Sequence, residues 1–249
     1  MRKLRFLVPP GSLAAGEGAI VALPEEEARH LAVTLRGEPG LGVSLFDGKG
    51  VEWNGEVVDA GRGRAHVRLL EAETSPVESP LRVTVYQSLS LDRVFEESIE
   101  PLTALGVAAL VPLLAERSRG AGRAPDAKRL ARWRRIACEA CKLSFRRVVP
   151  EIGEPVAVDA VGTDASAGVL SVLLDPGAPP GALRALLAGP APSSLRLAIG
   201  PEGGFTPGEV AALGRAGFLG VRLGPRVLRT QHAGSAAISV MLASWSDVG

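Results

Sequence analysis

The sequence predicts an α/β domain built on a mostly parallel sheet, preceded by a smaller all-β domain. From Leu81 onward, apolar strand patterns alternate with helical ones, whereas before Glu73 the patterns are short strands joined by glycine turns. Between them, Glu73-Thr-Ser-Pro-Val-Glu-Ser-Pro80 combines two prolines with small polar residues and reads as a linker. The expected divisions are residues 1–73, a linker at 74–80, and 81–249. With 249 residues, 46% hydrophobic and 22% charged, both parts can bury a core.

In the first domain, Val43 to Phe46 and Val51 to Val58 flank Asp47-Gly48-Lys49-Gly50, a hairpin signal. Ala65, Val67 and Leu69 alternate with His66 and Arg68 after the Gly61-Arg62-Gly63-Arg64 turn, and a small barrel accommodates such strands. Glu25 to Leu31 reads as one short helix whose acidic start suits the positive end of the helix dipole. His30 has no partner in view and reads as a packing residue.

In the second domain, Leu81 to Tyr86 alternates as a strand, Arg93 to Leu105 reads as a helix despite Pro101, and Val107 to Val111 is strand-like. A long helix follows at 127–145. Val169 to Leu174 is a buried strand leading into Asp175-Pro176-Gly177 and a Pro/Gly-rich loop region.

Residues 195–244 carry the most unusual backbone chemistry. Leu195, Leu197 and Ile199 alternate into the core of a strand that ends in Gly200-Pro201-Glu202-Gly203-Gly204, a turn that lets a ligand approach the main chain. Thr206-Pro207-Gly208-Glu209 is then a helix start, with a Thr cap, Pro as first helical residue and Glu placed to close a capping box. Val210, Ala211 and Leu213 should face inward, and Gly217 supplies a stop. Phe218 to Leu223 reads as a second strand, followed by the irregular loop Gly224-Pro225-Arg226-Val227-Leu228-Arg229. This order predicts two neighbouring parallel strands whose carboxyl-end loops share one pocket. Neither a GxxxxGK phosphate loop nor a GxGxxG fingerprint is present, so the ligand should be one held by backbone atoms.

The opening MRKLRFLVPPG has too short an apolar run for a secretory leader. The longest uncharged run, the 17 residues from Thr230 to Ser246, includes Gln and His and reads as a buried helix rather than a membrane span. A cytoplasmic protein without a membrane partner is expected. Cys138 and Cys141, with no second pair, cannot complete a four-ligand zinc site by themselves and read as buried reduced thiols, so no metal is expected.

Charge is unevenly placed. From Arg117 to Arg147 eleven Lys or Arg, including Arg119 and Arg123, face only Asp126 and Glu139, a local +9 in a chain whose net charge is +1. On the 127–145 helix, Lys128, Arg132, Arg135, Glu139 and Lys142 fall on one face, while Leu130, Trp133, Ala137, Ala140 and Ser144 fall opposite. With so few carboxylates along the helix, this face points to a polyanion.

The motif IGPEGGFTPGEV followed by LGPRVLRT resembles the cofactor-binding signature of the RsmE family, bacterial methyltransferases that modify N3 of a uridine in 16S ribosomal RNA. Arg132 to Ile152 is similar to a further family segment, and RKLRFLVPP, EARHLAVTLR and SLFDGKGVEWNGEV resemble its N-terminal PUA-like domain. The resemblance implies a SPOUT-type domain tied in a trefoil knot, S-adenosyl-L-methionine as cofactor, a homodimer, and the small ribosomal subunit as partner. It places the cofactor on the backbone of Gly200, Pro201, Glu202, Gly203 and Gly204, and on Leu223, Gly224, Arg226, Val227, Leu228 and Arg229. Leu174 and Pro176 line a third side. Candidate RNA contacts are Arg117, Lys128, Arg132, Arg135, Lys142 and Arg146, with Arg5 and Arg36 from the N-terminal segments.

Uracil N3 carries a proton in the neutral base, so methylation there requires its removal or stabilisation of the anion. Arg229 is the first candidate for holding the anion; Glu202 is a candidate proton acceptor or a partner for loop amides. Several family-typical polar positions differ here: Ser90, Leu91, Asp92 and Arg93 replace a lysine-rich segment, and Pro101, Ala104, Leu143, Gln231 and His232 replace other family residues. Four readings stay open on sequence alone: an active uridine methyltransferase, a relative with another RNA target, an RNA-binding protein that keeps the fold without catalysis, and a small-molecule α/β enzyme, which leaves the basic helix face unexplained. The small side chains of the last helix, Ala233 to Ala237, fit either a dimer contact or an internal one.

Overall fold

The computed structural model describes residues 4–61, 63–90, 92–118 and 125–245. Arg62, Leu91, Arg119, Arg123 and Ser246, named above, lie outside the described residues. The chain forms two compact units, residues 1–78 with 141–149, and residues 79–140 with 150–249.

In the first unit, β1 (Leu4–Leu7), β2 (Ile20–Ala22), β3 (Gly42–Phe46), β4 (Glu52–Gly61) and β5 (Arg64–Ala72) make a five-stranded sheet in the order β1-β3-β4-β5-β2. β1 lies parallel to β3 and the other pairs are antiparallel. Asp47 closes the β3–β4 turn by accepting the amides of Lys49 and Val51 at 2.8 and 3.0 Å. The short helix is α1 (Glu25–Arg29), continued by a π-helical turn at His30–Thr34 that carries it past Leu31. Phe6, Leu31, Leu45, Val67 and Leu69 are buried together. His30 is exposed and stands edge-on to Phe6, with ring centroids 6.5 Å apart.

Residues 141–149 pack in this first unit, although a single boundary at the linker assigns them to the second. The cause is a buried set of ion pairs and main-chain bonds. The Arg5 guanidinium binds both oxygens of Glu52 at 2.9 and 3.1 Å and donates to the carbonyls of Cys141 and Arg146. Glu52 also receives Arg147, at 3.0 Å. Glu78, within the expected linker, accepts the amides of Arg147 and Val148 and pairs with Arg146 at 2.8 Å. Partial burial pushes the Glu78 carboxyl up, but the Arg146 hydrogen bond, the Val148 amide, the Arg146 charge and the Arg147 amide together hold it below its ordinary value of 4.5.

The second unit contains β6 (Arg82–Ser88), α2 (Asp92–Ala104), β7 (Ala109–Leu114), α3 (Ala127–Ser144), β8 (Glu151–Ile152), β9 (Val156–Ala157), β10 (Val169–Leu174), α4 (Ala182–Leu187), β11 (Ser194–Ile199), α5 (Pro207–Arg215), β12 (Leu219–Val221) and α6 (Thr230–Trp245). α3 begins here and ends among the residues of the first unit. The strands form one seven-stranded sheet in the order β12-β10-β11-β6-β7-β8, with β9 also on β7, and every pairing is parallel. β11 and β12 are not the neighbours that their sequence order suggests. β10 lies between them and pairs with both.

Parallel sheets need cover on both faces. On one face Gly234 lets α6 approach β11: a Cβ there would lie 2.5 Å from Ile199 Cδ1. Phe95 of α2 and Trp133 of α3 stack with ring centroids 4.4 Å apart. In a separate core cluster, Leu213 of α5 and Phe218 pack with Leu173 and Ala198, while Ala211 is exposed rather than inward. α2 runs unbroken through Pro101. Cys138 and Cys141 form no disulfide, the second buried and the first half-buried. Among the described residues no helix is long and apolar enough to cross a membrane, and no group of three His, Cys, Asp or Glu could hold a metal.

Candidate functional site

The carboxyl ends of β10, β11 and β12 finish on one row of the sheet, with Leu174 in register with both Ile199 and Val221. Beyond that row the chain opens into three loops around a cavity of about 390 Å³, within the second unit. This is the position at which open parallel sheets bind ligands, and the volume falls in the roughly 300–1,000 Å³ range of small-molecule sites.

Each loop has an identifiable local cause. Thr206 Oγ1 accepts the Glu209 amide at 3.3 Å while Glu209 Oε2 accepts the Thr206 amide at 2.8 Å, so α5 starts with the expected capping box. Glu209 Oε1 additionally accepts the amide of Glu116 at 2.7 Å, tying the segment after β7 to the same helix start. In the glycine turn, the Gly204 amide reaches the Pro201 carbonyl at 2.9 Å, and Gly204 takes φ +67°, which favours glycine. Gly203 is pressed against Arg117: a Cβ there would lie 3.2 Å from the Arg117 Cβ, and Arg117 Nη1 donates to the Gly203 carbonyl at 3.2 Å. Thr230 Oγ1, at the start of α6, donates to the Gly200 carbonyl at 3.2 Å. Asp175 follows β10, its amide bound to the Val221 carbonyl and its Oδ1 to the Gly177 amide.

The third loop, 222–229, differs. Pro225 has no N–H, and among the described residues none of the other amides from Leu223 to Arg229 is tied to a main-chain carbonyl, so these donors remain for a ligand. Val227 projects at 80% exposure. Arg117, Arg222, Arg226 and Arg229 surround the cavity against Glu202 and Asp175, which makes its mouth cationic.

All thirteen sequence-derived cofactor positions line this one cavity: Leu174 and Pro176, Gly200 to Gly204, Leu223 and Gly224, and Arg226 to Arg229. Arg117, assigned above to RNA, lines it too. Asp175, Arg222 and Thr230, each adjacent in sequence to one of those positions, line it as well, as does Ala233 of α6. Among the described residues Glu202 binds no amide of its own loop. Its Oε2 accepts the hydroxyl of Ser90, 112 positions earlier, at 2.5 Å.

The RNA candidates separate. Arg5 and Arg146 are 6% and 4% exposed and engaged as described above, which removes both from any surface that RNA could touch. Lys142 pairs with Glu27 at 2.5 Å and Arg132 with Glu96 at 2.8 Å, so carboxylates of other helices neutralise part of the α3 face. Lys128 and Arg135 are exposed without an ion pair among the described residues, as is Arg134, which lies off the helix face read from the sequence. Arg36 is exposed with φ +50°.

An RNA methyltransferase domain model matches residues 77–242. The chain is 34% identical over 239 residues to the ribosomal RNA small subunit methyltransferase E of Synechocystis sp., covering 94% of this chain and 76% of that protein. Among solved structures it superposes on ribosomal RNA small subunit methyltransferase E from Neisseria gonorrhoeae bound to S-adenosylmethionine, with TM-score 0.87, 32% identity, and 99% and 100% of the two chains covered. A methyltransferase from Legionella pneumophila in complex with the same cofactor superposes with TM-score 0.84, 30% identity, and 98% and 99% covered.

Proposed function

We propose the function from a plain premise: this chain belongs to the ribosomal RNA small subunit methyltransferase E family. It is an S-adenosylmethionine-dependent ribosomal RNA methyltransferase. The observation that carries this is the backbone-lined cavity at the ends of β10, β11 and β12, which gathers all thirteen cofactor positions that the resemblance implies.

The residues present fit the cofactor. Gly200, Gly203 and Gly204 leave the main chain bare, the 223–229 amides other than Pro225 are available donors, and Leu174, Ile199 and Val221 give an apolar floor. When bound, S-adenosylmethionine supplies an electrophilic methyl group whose bonding electrons leave with sulfur. The chain's own residues prepare the nucleophile. In our reading the substrate is N3 of a uridine in 16S RNA; the free Glu202 oxygen accepts the N3 proton, and Arg229 holds the negative charge that develops on the base. Lys128, Arg134 and Arg135 bind backbone phosphates, with Arg36 as a contact on the first unit. The departure at Gln231 is compatible with this, since its side chain is occupied in donating to Glu97 at 3.2 Å. We further read the first unit as a PUA-like RNA-holding barrel and the second as a trefoil-knotted domain. The working form is a homodimer in the cytoplasm, where its ribosomal partner lies.

The test is calorimetric titration with S-adenosylmethionine of the wild type and of Gly203→Arg, followed by methyl transfer to small ribosomal subunits. The wild type should bind and transfer, and Gly203→Arg should lose binding because its side chain must displace Arg117 or fill the cavity. Absence of binding to a folded wild type sinks the reading and leaves an RNA-binding relative without catalysis.

A further inference from the structure

We infer that Ser90 is a positioning residue that holds the Glu202 carboxylate at the mouth of the cavity. The inference rests on the proposed role of Glu202 in taking a proton from the base.

Glu202 is an exposed side chain on a glycine turn, a place where a carboxylate ordinarily samples several rotamers. Among the described residues its one side-chain bond is to Ser90, and the 2.5 Å separation is that of a short charge-assisted hydrogen bond. Ser90 itself is 4% exposed. Its main chain is anchored to the end of β6 and to β7: the Ser90 amide donates to the Ser88 carbonyl at 3.2 Å, and the preceding Leu89 amide to the Leu113 carbonyl at 2.9 Å. A buried, backbone-anchored hydroxyl therefore aims a flexible surface carboxylate. It occupies Oε2 alone, which leaves Oε1 with its lone pairs for a substrate proton.

The anchor is separate from the elements that hold the loop's main chain. The glycine turn is fastened through its own carbonyls, Gly200 to Thr230 and Gly203 to Arg117, and through the Pro201–Gly204 turn. Loss of the Ser90 hydroxyl leaves these three bonds in place. What it frees is the Glu202 side chain, so the effect falls on the chemical step and not on the cofactor cradle.

The test compares wild type, Ser90→Ala, Glu202→Gln and the double variant by two readouts: the S-adenosylmethionine Kd from calorimetry, and single-turnover methyl transfer to small ribosomal subunits. Ser90→Ala should keep its Kd within about twofold of wild type while transfer falls at least about tenfold, a fraction of the roughly 10²–10⁴-fold that a positioned base contributes. In the Glu202→Gln background the same change should cost nothing further. Ser90→Thr, which restores a hydroxyl, should recover part of the rate. A Kd that weakens in step with the rate makes Ser90 a mere loop support and overturns the inference, as does a rate loss that persists undiminished beside Glu202→Gln. A wild type that neither binds nor transfers overturns the underlying function as well; a wild type that does both, with additive variants, overturns this inference alone.

Discussion

Removing the Arg5 guanidinium would strip the Glu52 carboxylate of one of its two arginine partners and leave the Cys141 and Arg146 carbonyls without their side-chain donor. Both side chains of the pair are nearly sealed from water, at 1% and 7% exposure. Breaking such a pair from one side costs about 3–5 kcal/mol, so Arg5→Ala should lower the urea midpoint strongly. If Arg5 instead met RNA, the midpoint would hold and RNA affinity would fall. Glu78 makes a second, pH-dependent contribution. Its folded value lies below 4.5, so its stabilisation is complete above 4.5 and is lost as pH falls through the folded value. Urea midpoints from about pH 6 down to about pH 3 should therefore drop less steeply in Glu78→Gln than in wild type. Neither role could be read from the sequence. The partners of Arg5 stand 47, 136 and 141 positions away, and a list of arginines does not say which will meet a carboxylate.

Among the elements, α5 is the most legible, because a capping box is a relation between residues three apart and needs no knowledge of the fold. Thr206→Ala should cost about 1 kcal/mol of stability, measurable by urea unfolding. Glu209→Ala should cost more, since the same carboxylate also holds the Glu116 amide beside Arg117, and it should weaken S-adenosylmethionine binding in calorimetry where Thr206→Ala does not. Equal cofactor affinities for the two variants would discount the Glu116 link. The strands were individually legible for the same local reason: Val169 to Leu174 coincides with β10 and Leu195 to Ile199 falls within β11. Their lateral order was not. A parallel connection can skip a neighbour, and nothing in residues 195–223 records that β10 pairs with β12. Short elements escaped as well, since the six residues of α4 follow a run of prolines and glycine that reads as loop.

For the whole molecule, the net charge of +1 conceals the arrangement that governs its encounter with RNA. The excess of positive charge between Arg117 and Arg147 is legible by counting, but its division is a property of tertiary structure. Arg146 and Arg147 are buried against Glu78 and Glu52, while Lys142 and Arg132 meet Glu27 and Glu96. Among the described residues, what stays exposed without an ion pair on α3 is smaller, centred on Lys128, Arg134 and Arg135. Each phosphate neutralised by such a side chain releases counterions, which contributes about 0.7–0.9 to the slope of log affinity against log salt. Replacing all three by alanine should flatten that slope by about 2–3 and raise the KM for small ribosomal subunits. kcat at saturating subunit and the S-adenosylmethionine Kd should remain near wild type, because the cavity lies at other residues. A slope unchanged in the triple variant would move the phosphate-binding surface away from α3. A lowered kcat would instead show that these side chains act on the base being methylated and not on the backbone that carries it.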